Sequence, residues 1–393
     1  NWKPRVNSGE MWRFLVIYLW CRLTGISASD NNVILPVKHD PKFFPMLSLM
    51  RLSNQPCVTV NNKTGTCVSS RECSTIGGVG VGTCAIGFGV CCIAELGCGA
   101  ETSANSTTFV GPDTLGTGLG MCEFRVNKMS HDICQMRLDF DEAVLNQPIV
   151  NQATPSSDGN CLQDAFTVSG SDELVPVLCG EFTGFHWYIR VTDSQTVILK
   201  VTSITSFPAR RWKIKITQVT CGSIIEAPDG CSQFFMGSQG IIKSPNHIQG
   251  QKGLQINGLS YGICIRNERG YCGLCYDPCP DVPGGSFSLD NSEIDENDDQ
   301  DSSEACTANF LMIPCGQVAV DSGVYKSCHA DKFCGQTFAN HRPDEALYLH
   351  RVCSFQKPFT LNYRTTDPAP RIAGTVNRGF CLNYLQVMCL RKN

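Results

Sequence analysis

The stretch that decides the fold runs from Cys98 to Cys221 and contains, in order, Cys98-Gly99, Phe109-Val110-Gly111-Pro112, Cys122-Glu123-Phe124-Arg125-Val126, Met136-Arg137-Leu138-Asp139-Phe140, Cys161-Leu162-Gln163-Asp164 and Cys179-Gly180. Apolar and polar residues alternate around its cysteines. Alternation with a period of two places the apolar side chains on one face of a strand. The stretch therefore predicts short strands, each with one buried face, that disulfides hold together in an all-β fold.

The composition is that of a folded chain without a strongly charged surface. The 393 residues are 42% apolar, which is enough for more than one hydrophobic core. Charged residues make up 17%, below the roughly 25% of average soluble proteins, and the net charge is -4. A nucleic-acid-binding protein usually has a concentrated basic face, so we expect no nucleic-acid partner.

The cysteine content predicts a secreted, extracellular protein. Twenty-five cysteines without the regular spacing of zinc ligands are typical of an oxidising compartment. Met11-Trp12-Arg13 is a basic start, an apolar run follows to Cys21, and Ser27-Ala28-Ser29 offers small residues for cleavage. We therefore interpret residues 1–28 as upstream sequence and signal peptide and residues 29–56 as an extended leader. Losing Cys21 leaves an even number of cysteines, and no later segment has the length of a membrane span.

Residues 57–92 form a small cysteine-rich block in which Cys57, Cys67, Cys73, Cys84 and the pair Cys91-Cys92 alternate with glycines. Such a short segment buries little apolar area, so its disulfides must stabilise it. The spacing, with Gly65-Thr66-Cys67-Val68 and Gly89-Val90-Cys91-Cys92, resembles the clip domain that precedes many arthropod serine proteases. That resemblance implies the pairs Cys57–Cys91, Cys67–Cys84 and Cys73–Cys92.

Residues 98–221 resemble a CUB domain, a two-sheet β-sandwich of extracellular proteins. The resemblance depends on the two pairs of cysteines, on Asp164 three positions after the third cysteine and on Gly180 directly after the fourth. It implies the disulfides Cys98–Cys122 and Cys161–Cys179. The two cysteines outside this scheme form a third pair, Cys134–Cys221.

The pattern returns in residues 231–389, which resemble a second, enlarged CUB domain. Its most characteristic string is Gly240-Ile241-Ile242-Lys243-Ser244-Pro245-Asn246. The resemblance implies the pairs Cys231–Cys264, Cys272–Cys389 and Cys306–Cys334, and Cys315–Cys328 is the nearest-neighbour choice. The partners of Cys275, Cys279, Cys353 and Cys381 stay open. The whole order resembles secreted arthropod proteins with tandem CUB domains after a clip-like module.

No catalytic motif accompanies these modules. The chain contains no Gly-Asp-Ser-Gly-Gly, no Ala-Ala-His-Cys and no His-Glu-x-x-His frame. Cys272, Cys275 and Cys279, with Cys264 upstream, could hold zinc as thiolates, but an oxidising compartment favours disulfides. We therefore predict that the protein is not an enzyme.

Calcium is the one ion that the CUB resemblance implies, through oxygen ligands from separate loops. The corresponding positions of the first copy hold Asn146, Asp164 and Ile204, which leaves one carboxylate and makes calcium unfavourable there. The second copy has Asp290, Asn309 and Asp367, a possible calcium site. Asp290 also opens an acidic stretch to Glu304, which is either a solvated insertion or a dock for a basic partner.

Asn62-Lys63-Thr64 and Asn105-Ser106-Thr107 are N-glycosylation sequons in predicted loops. Trp187, Tyr188 and Trp212 are assigned to the sandwich core or its edge. These features favour a non-catalytic extracellular protein that binds a protein or a glycan. One alternative is a non-catalytic regulator of clip-protease cascades, and another is a hydrolase with an unrecognised site.

Overall fold

The strands of the protein lie in three groups along the chain. A computed structural model describes residues 56–111, 120–149, 159–250, 253–281, 285–289, 306–318, 330–336, 338, 351–366 and 377–389, which belong to one compact unit. The predicted signal peptide, the leader up to residue 55 and the acidic stretch 290–304 lie outside the described residues. The structure confirms the predicted all-β class, because the described residues are mostly in strands.

The first group, here called the N-terminal module, is a four-stranded antiparallel sheet with one helix. Its elements are β1 (Pro56–Val58), β2 (Thr64–Val68), α1 (Ser70–Ile76), β3 (Val79–Cys84) and β4 (Gly89–Ile93), and the strand order is β1-β2-β4-β3. The helix begins where the Ser69 side chain accepts a hydrogen bond from the N–H of Glu72. It ends at Gly77, whose positive φ of 79° suits a residue without a Cβ atom.

The second group, sandwich 1, has two sheets. Its strands are β5 (Glu95–Leu96), β6 (Glu101–Thr102), β7 (Thr107–Val110), β8 (Gly120–Asn127), β9 (Ile133–Val144), β10 (Asp164–Ser169), β11 (His186–Arg190), β12 (Thr196–Ser203) and β13 (Arg211–Thr220). One sheet has the order β10-β12-β8-β6 and the other has β11-β9-β13-β7-β5. Only β5 with β7 and β6 with β8 pair in parallel within this sandwich.

Aromatic contacts join the two sheets of sandwich 1. The rings of Phe109 on β7 and Phe124 on β8 stack with centroids 4.9 Å apart, and Phe140 on β9 meets Phe166 on β10 edge-on at 5.4 Å. The alternation read from the sequence supplies this core, since alternate residues of β12 and β13 are buried. Trp212 is buried there, as predicted.

The third group, sandwich 2, contains β14 (Cys231–Phe235), β15 (Gln239–Lys243), β16 (Ser260–Ile265), β17 (Tyr271–Pro278), β18 (Phe287–Ser288), β19 (Phe310–Val318), β20 (Ala330–Phe333), β21 (Val352–Ser354), β22 (Thr360–Arg364) and β23 (Gly379–Met388). The strand order is β14-β16-β22-β19-β21-β17-β23-β15, with β18 beside β23 and β20 beside β19. Strand β19 pairs with β22 through its first residues and with β21 through its last. It therefore connects two layers, and the rings of Tyr363 and Phe380 meet between them at 5.0 Å.

The disulfides connect cysteines within each of these groups. The structure contains the pairs Cys57–Cys91, Cys67–Cys84, Cys73–Cys92, Cys98–Cys122, Cys134–Cys221, Cys161–Cys179, Cys231–Cys264, Cys272–Cys389 and Cys306–Cys334, the same pairs that the sequence analysis gives. It also assigns the open cysteines, as Cys275–Cys353 and Cys279–Cys381. Cys315 is disulfide-bonded, and its predicted partner Cys328 lies outside the described residues.

The two sandwiches share one continuous core. Trp187 of β11 packs on Tyr261 of β16 with ring centroids 4.9 Å apart, and both side chains are buried. The edge strand β11 of sandwich 1 also contacts β14 of sandwich 2. The arrangement of the sandwiches therefore rests on side-chain packing as well as on the connecting chain.

Candidate functional site

An open polar cleft lies where the N-terminal module meets the outer face of the five-stranded sheet of sandwich 1. Its volume is about 480 Å³. The lining residues are Asn62, Lys63, Thr64, Ile93, Glu95, Thr108, Asp139, Asp141, Lys213 and Lys215. Residues before β5 form the wall, and side chains of β9, β13 and β7 form the floor.

Strand alternation places the charges of the floor outside the core. Lys213 and Lys215 alternate on β13 with buried Trp212, Ile214 and Ile216. Lys215 is in register with Asp139 on one side and with Thr108 on the other. The register shifts between Lys213 and Ile214, which pair with Glu142 and Phe140, so Asp141 is the extra residue of a β-bulge. Asp141 therefore reaches the same face as Asp139.

The cleft contains both paired and unpaired charges. The Glu95 carboxylate accepts a hydrogen bond from Lys213 Nζ at 2.8 Å and lies 3.5 Å from Lys63 Nζ. The hydrogen bond from Lys213 lowers the pKa of Glu95 below its usual value. Asp139 is held by the guanidinium of Arg137, which lies next to it on the sheet.

Lys215 and Asp141 differ from these pairs. Among the residues that the structure describes, no hydrogen bond or ion pair within 4 Å holds the Lys215 ammonium or the Asp141 carboxylate. Burial, followed by the charge of Asp139, raises the pKa of Asp141. The floor thus offers one uncommitted donor group and one uncommitted acceptor group to a polar ligand.

The docking of the N-terminal module forms the wall of the cleft. The N–H of Thr108 donates to the carbonyl of Ala94 at 2.8 Å, which continues the pairing of β5 along β7. The Thr66 hydroxyl of β2 also donates to the carbonyl of Asn105. These contacts hold the wall at a fixed distance from the floor.

A second polar site lies at one end of sandwich 1, around Asp164. The side chains of Asp164 and Arg210 are both completely buried. Arg210 Nε donates to Asp164 Oδ2 at 2.9 Å and Nη2 donates to Oδ1 at 2.8 Å. Nη2 also donates to the carbonyl of Thr205 at 2.7 Å, and Asp164 Oδ2 accepts the N–H of Asn146 at 2.8 Å. The network joins three loops.

The positions that the resemblance gives to calcium in this copy do come together. Asn146 and Asp164 are hydrogen-bonded, and the N–H of Ile204 donates to the carbonyl of Gln163 beside them. They do not fit a calcium ion, however. Both oxygens of Asp164 are engaged by the guanidinium of Arg210, and the Ile204 side chain is apolar and exposed. The positive charge next to Asp164 comes from the chain itself, through a residue that the sequence analysis missed.

The corresponding positions of sandwich 2 are described only in part. Asn309 is buried, and its Oδ1 accepts the N–H of Thr366 at 2.9 Å. Asp290 and Asp367 lie outside the described residues. Within the described residues, no group of three or more His, Cys, Asp or Glu side chains is placed to hold a metal ion.

The junction between the sandwiches contains a buried histidine. His186 Nε2 accepts the backbone N–H of Phe234 at 3.1 Å, so the ring is neutral and protonated on the other nitrogen. Burial, followed by the charge of Arg137, lowers the pKa of His186 from 6.5 to about 4. Tyr188, predicted to fill core or edge, is buried at this junction beside Phe234.

A buried glutamine fixes the connection between the sandwiches. Gln135 Nε2 donates to the carbonyl of Ala227 at 2.8 Å, and Gln135 Oε1 accepts the N–H of the same residue at 2.9 Å. Both residues are buried, so the connecting segment before β14 is held against the sheet of sandwich 1.

The sequence and the fold were compared with known proteins. Residues 228–387 match the family model of the animal CUB domain, so this part of the chain is a CUB domain. No curated protein matches the chain. No helix among the described residues has both the length and the apolar character that crossing a membrane requires.

Similar solved structures share a β fold with this chain. The CUB1-EGF-CUB2 domains of rat MASP-1 are 12% identical, with a TM-score of 0.23, over 74% of this chain and 99% of that one. The CUB1-EGF-CUB2 domain of human MASP-1/3 is 14% identical, with a TM-score of 0.21, over 71% and 98%. The full extracellular region of zebrafish Gpr126/Adgrg6 is 9% identical, with a TM-score of 0.24, over 76% of this chain and 37% of that one.

Proposed function

We propose that the protein is a secreted, non-catalytic binding protein that recognises an extracellular protein or glycan in the cleft beside the N-terminal module. The observation that carries this proposal is the pair of uncommitted charges, Lys215 and Asp141, on the floor of the 480 Å³ cleft. A half-buried charge without a partner gains hydrogen bonds when a polar ligand replaces water. The CUB domain of sandwich 2 and the many disulfides support an extracellular setting.

The structure offers a matched pair of substitutions to test this proposal. Lys215→Glu reverses the charge of the cleft floor, whereas Lys200→Glu changes a half-buried lysine on the other sheet of sandwich 1. The full chain and both variants are immobilised, and partners are captured from extracellular fluid and from a glycan array. We expect a partner that the parent chain and Lys200→Glu retain and Lys215→Glu loses. Equal capture by all three proteins would exclude the cleft as the recognition site.

The second candidate function is regulation of clip-protease cascades. The N-terminal module has the disulfides that the clip resemblance implies, and it exposes two apolar side chains, Ile86 and Phe88, at 99% and 58%. They flank the turn between β3 and β4, at the end of the module's sheet opposite to the turn at residues 59–63. Ile86 has a φ of +56°, a strained value for a β-branched residue, which supports a role for this turn.

This candidate is tested with the full chain in a reconstituted zymogen-activation assay. We expect the chain to slow activation and Ile86→Asn to lose the effect, because asparagine tolerates the positive φ but removes the apolar contact. Val60→Ser, at the opposite end of the module, is the control and should retain inhibition. An inhibition that Ile86→Asn leaves intact would exclude this turn, and no effect of the parent chain would exclude the function.

A further inference from the structure

The sequon at Asn62 lies in a rigid turn at the rim of the cleft. The N–H of Thr59 donates to the carbonyl of Lys63 at 2.8 Å, the N–H of Asn62 donates to the carbonyl of Thr59 at 3.0 Å, and the N–H of Lys63 donates to Thr59 Oγ1 at 3.1 Å. Asn62 has a φ of +57°, which asparagine tolerates better than most residues. Thr59 is buried, so the turn is anchored and the exposed Asn62 has a fixed position.

Asn62 is itself one of the residues that line the cleft. Its neighbours Lys63 and Thr64 line the same wall, and Lys63 reaches Glu95 inside the cleft. A sugar attached to the Asn62 amide therefore starts at the cleft wall. The floor opposite carries Lys215 and Asp141, which have no partner among the described residues. Sugar hydroxyls both donate and accept hydrogen bonds, so they can satisfy both groups.

From this placement we propose that Asn62 carries an N-linked glycan whose first sugars lie over the cleft and cap Lys215 and Asp141. The glycan then controls access to the cleft, because a ligand must displace the sugars or bind a chain that lacks them. This regulatory consequence rests on the proposed function. The contact between the glycan and the cleft does not depend on it.

The second sequon has a different structural setting. Asn105 is not among the residues that line the cleft, and its Oδ1 accepts the N–H of Gln218 and the N–H of Ser106, both at 2.8 Å. Thr107 of this sequon is buried, and its hydroxyl donates to the carbonyl of Ala104 at 3.1 Å. Only the glycan at Asn62 starts at the cleft, so the effect is specific to that sequon.

The test measures the chemical accessibility of Lys215. The full chain is expressed in a eukaryotic secretory host, together with Asn62→Gln and with Asn61→Gln, which changes the adjacent exposed asparagine and keeps the sequon. Occupancy at Asn62 is determined by peptide mass spectrometry. Each protein is then labelled with a small water-soluble acylating reagent, and the labelling rates of Lys215 and Lys200 are compared.

We expect Asn62 to be glycosylated in the parent chain and in Asn61→Gln, and Lys215 in both to react several-fold more slowly than in Asn62→Gln. Lys200, on the other sheet, should react equally in all three proteins. Enzymatic removal of the glycan from the parent chain should restore the faster rate of Lys215. An unmodified Asn62, or equal Lys215 rates with and without the glycan, would overturn the proposal.

Failure of the cleft as a recognition site is a separate result. Ligand capture is measured with Asn62→Gln, in which no glycan covers the cleft, and compared with the same chain carrying Lys215→Glu. A protected Lys215 without any captured ligand would support the cap and remove the recognition function. Capture without protection would support recognition and remove the cap.

Discussion

Loss of the Arg210 guanidinium should destabilise one end of sandwich 1 strongly. Arg210→Met removes the charge and keeps much of the side-chain volume. Asp164 then remains buried with its charge, and the N–H of Asn146 is the hydrogen-bond donor that the described contacts leave to it. A buried carboxylate without its cation is an unfavourable state, because the protein interior solvates the charge poorly.

The contacts set the size of the effect. Arg210 donates two hydrogen bonds to Asp164 and one to the carbonyl of Thr205, all between 2.7 and 2.9 Å. Removing one partner of a completely buried ion pair costs about 3–5 kcal/mol. The exposed neighbour Arg211, which is paired with Glu142 at the surface, provides the control. Arg211→Met should lower the free energy of unfolding by less than about 1 kcal/mol.

Hydrogen exchange followed by mass spectrometry is the appropriate assay, because it reports the stability of each segment. Peptides that contain residues 144–149 and 203–212 should lose protection in Arg210→Met, while peptides of the N-terminal module keep theirs. In a double-mutant cycle, Asp164→Leu combined with Arg210→Met should cost less than the sum of the single losses. Additive losses, or an effect of Arg210→Met no larger than that of Arg211→Met, would refute the assignment of a buried, coupled pair.

Two further predictions concern the junction between the sandwiches. The pKa of His186 lies near 4 in the folded protein and 6.5 in the reference state, so the unfolded chain binds a proton that the folded chain excludes as the pH falls between these values. The free energy of unfolding should therefore fall by on the order of 3 kcal/mol from pH 6.5 to 4, and His186→Gln, which keeps an acceptor for the N–H of Phe234, should remove this part of the pH dependence in unfolding titrations. Gln135→Leu leaves both polar groups of Ala227 unpaired, and it should cost about 1–3 kcal/mol and increase proteolysis of the connecting segment. The surface substitution Lys200→Glu is the control for both, and a pH profile of His186→Gln identical to that of the parent chain would contradict the first.

The buried arginine could have been found in the sequence, but only with a question that the motif did not raise. On β13, Trp212, Ile214 and Ile216 point into the core, and period-two alternation places Arg210 in phase with them. A charged residue in the inward phase needs a buried partner of opposite sign. The sequence analysis instead compared Asp164 with carboxylates alone, and so it identified the loop end but missed the cation.

The cleft could not have been predicted from the sequence in the same way. Alternation places Lys213 and Lys215 on the outer face of the sheet, which the structure reproduces. The position of the wall depends on contacts between segments far apart in the chain, such as the hydrogen bond from Thr66 to Asn105. The bulge at Asp141 is likewise a property of strand register, which a local pattern does not determine.

The last cysteine pairs show the same limit. Cys275 and Cys353 lie directly opposite one another on β17 and β21, and Cys279 and Cys381 are brought together where β17 ends beside β23. The spacing of these cysteines along the chain does not reveal which strands are neighbours. Their pairing required the strand order of sandwich 2, in which β17 lies between β21 and β23.

The stabilisation within the groups of strands differs in kind from the stabilisation between them. Every disulfide described here joins two cysteines of the same group, so the bonds resist unfolding of each group but do not set the arrangement of the sandwiches. That arrangement depends on the pair Trp187 and Tyr261, on Gln135 with Ala227, and on the neutral ring of His186. Acid should therefore open the junction while the disulfides keep each sandwich folded, because protonation of His186 removes the acceptor for the N–H of Phe234 and adds a buried charge.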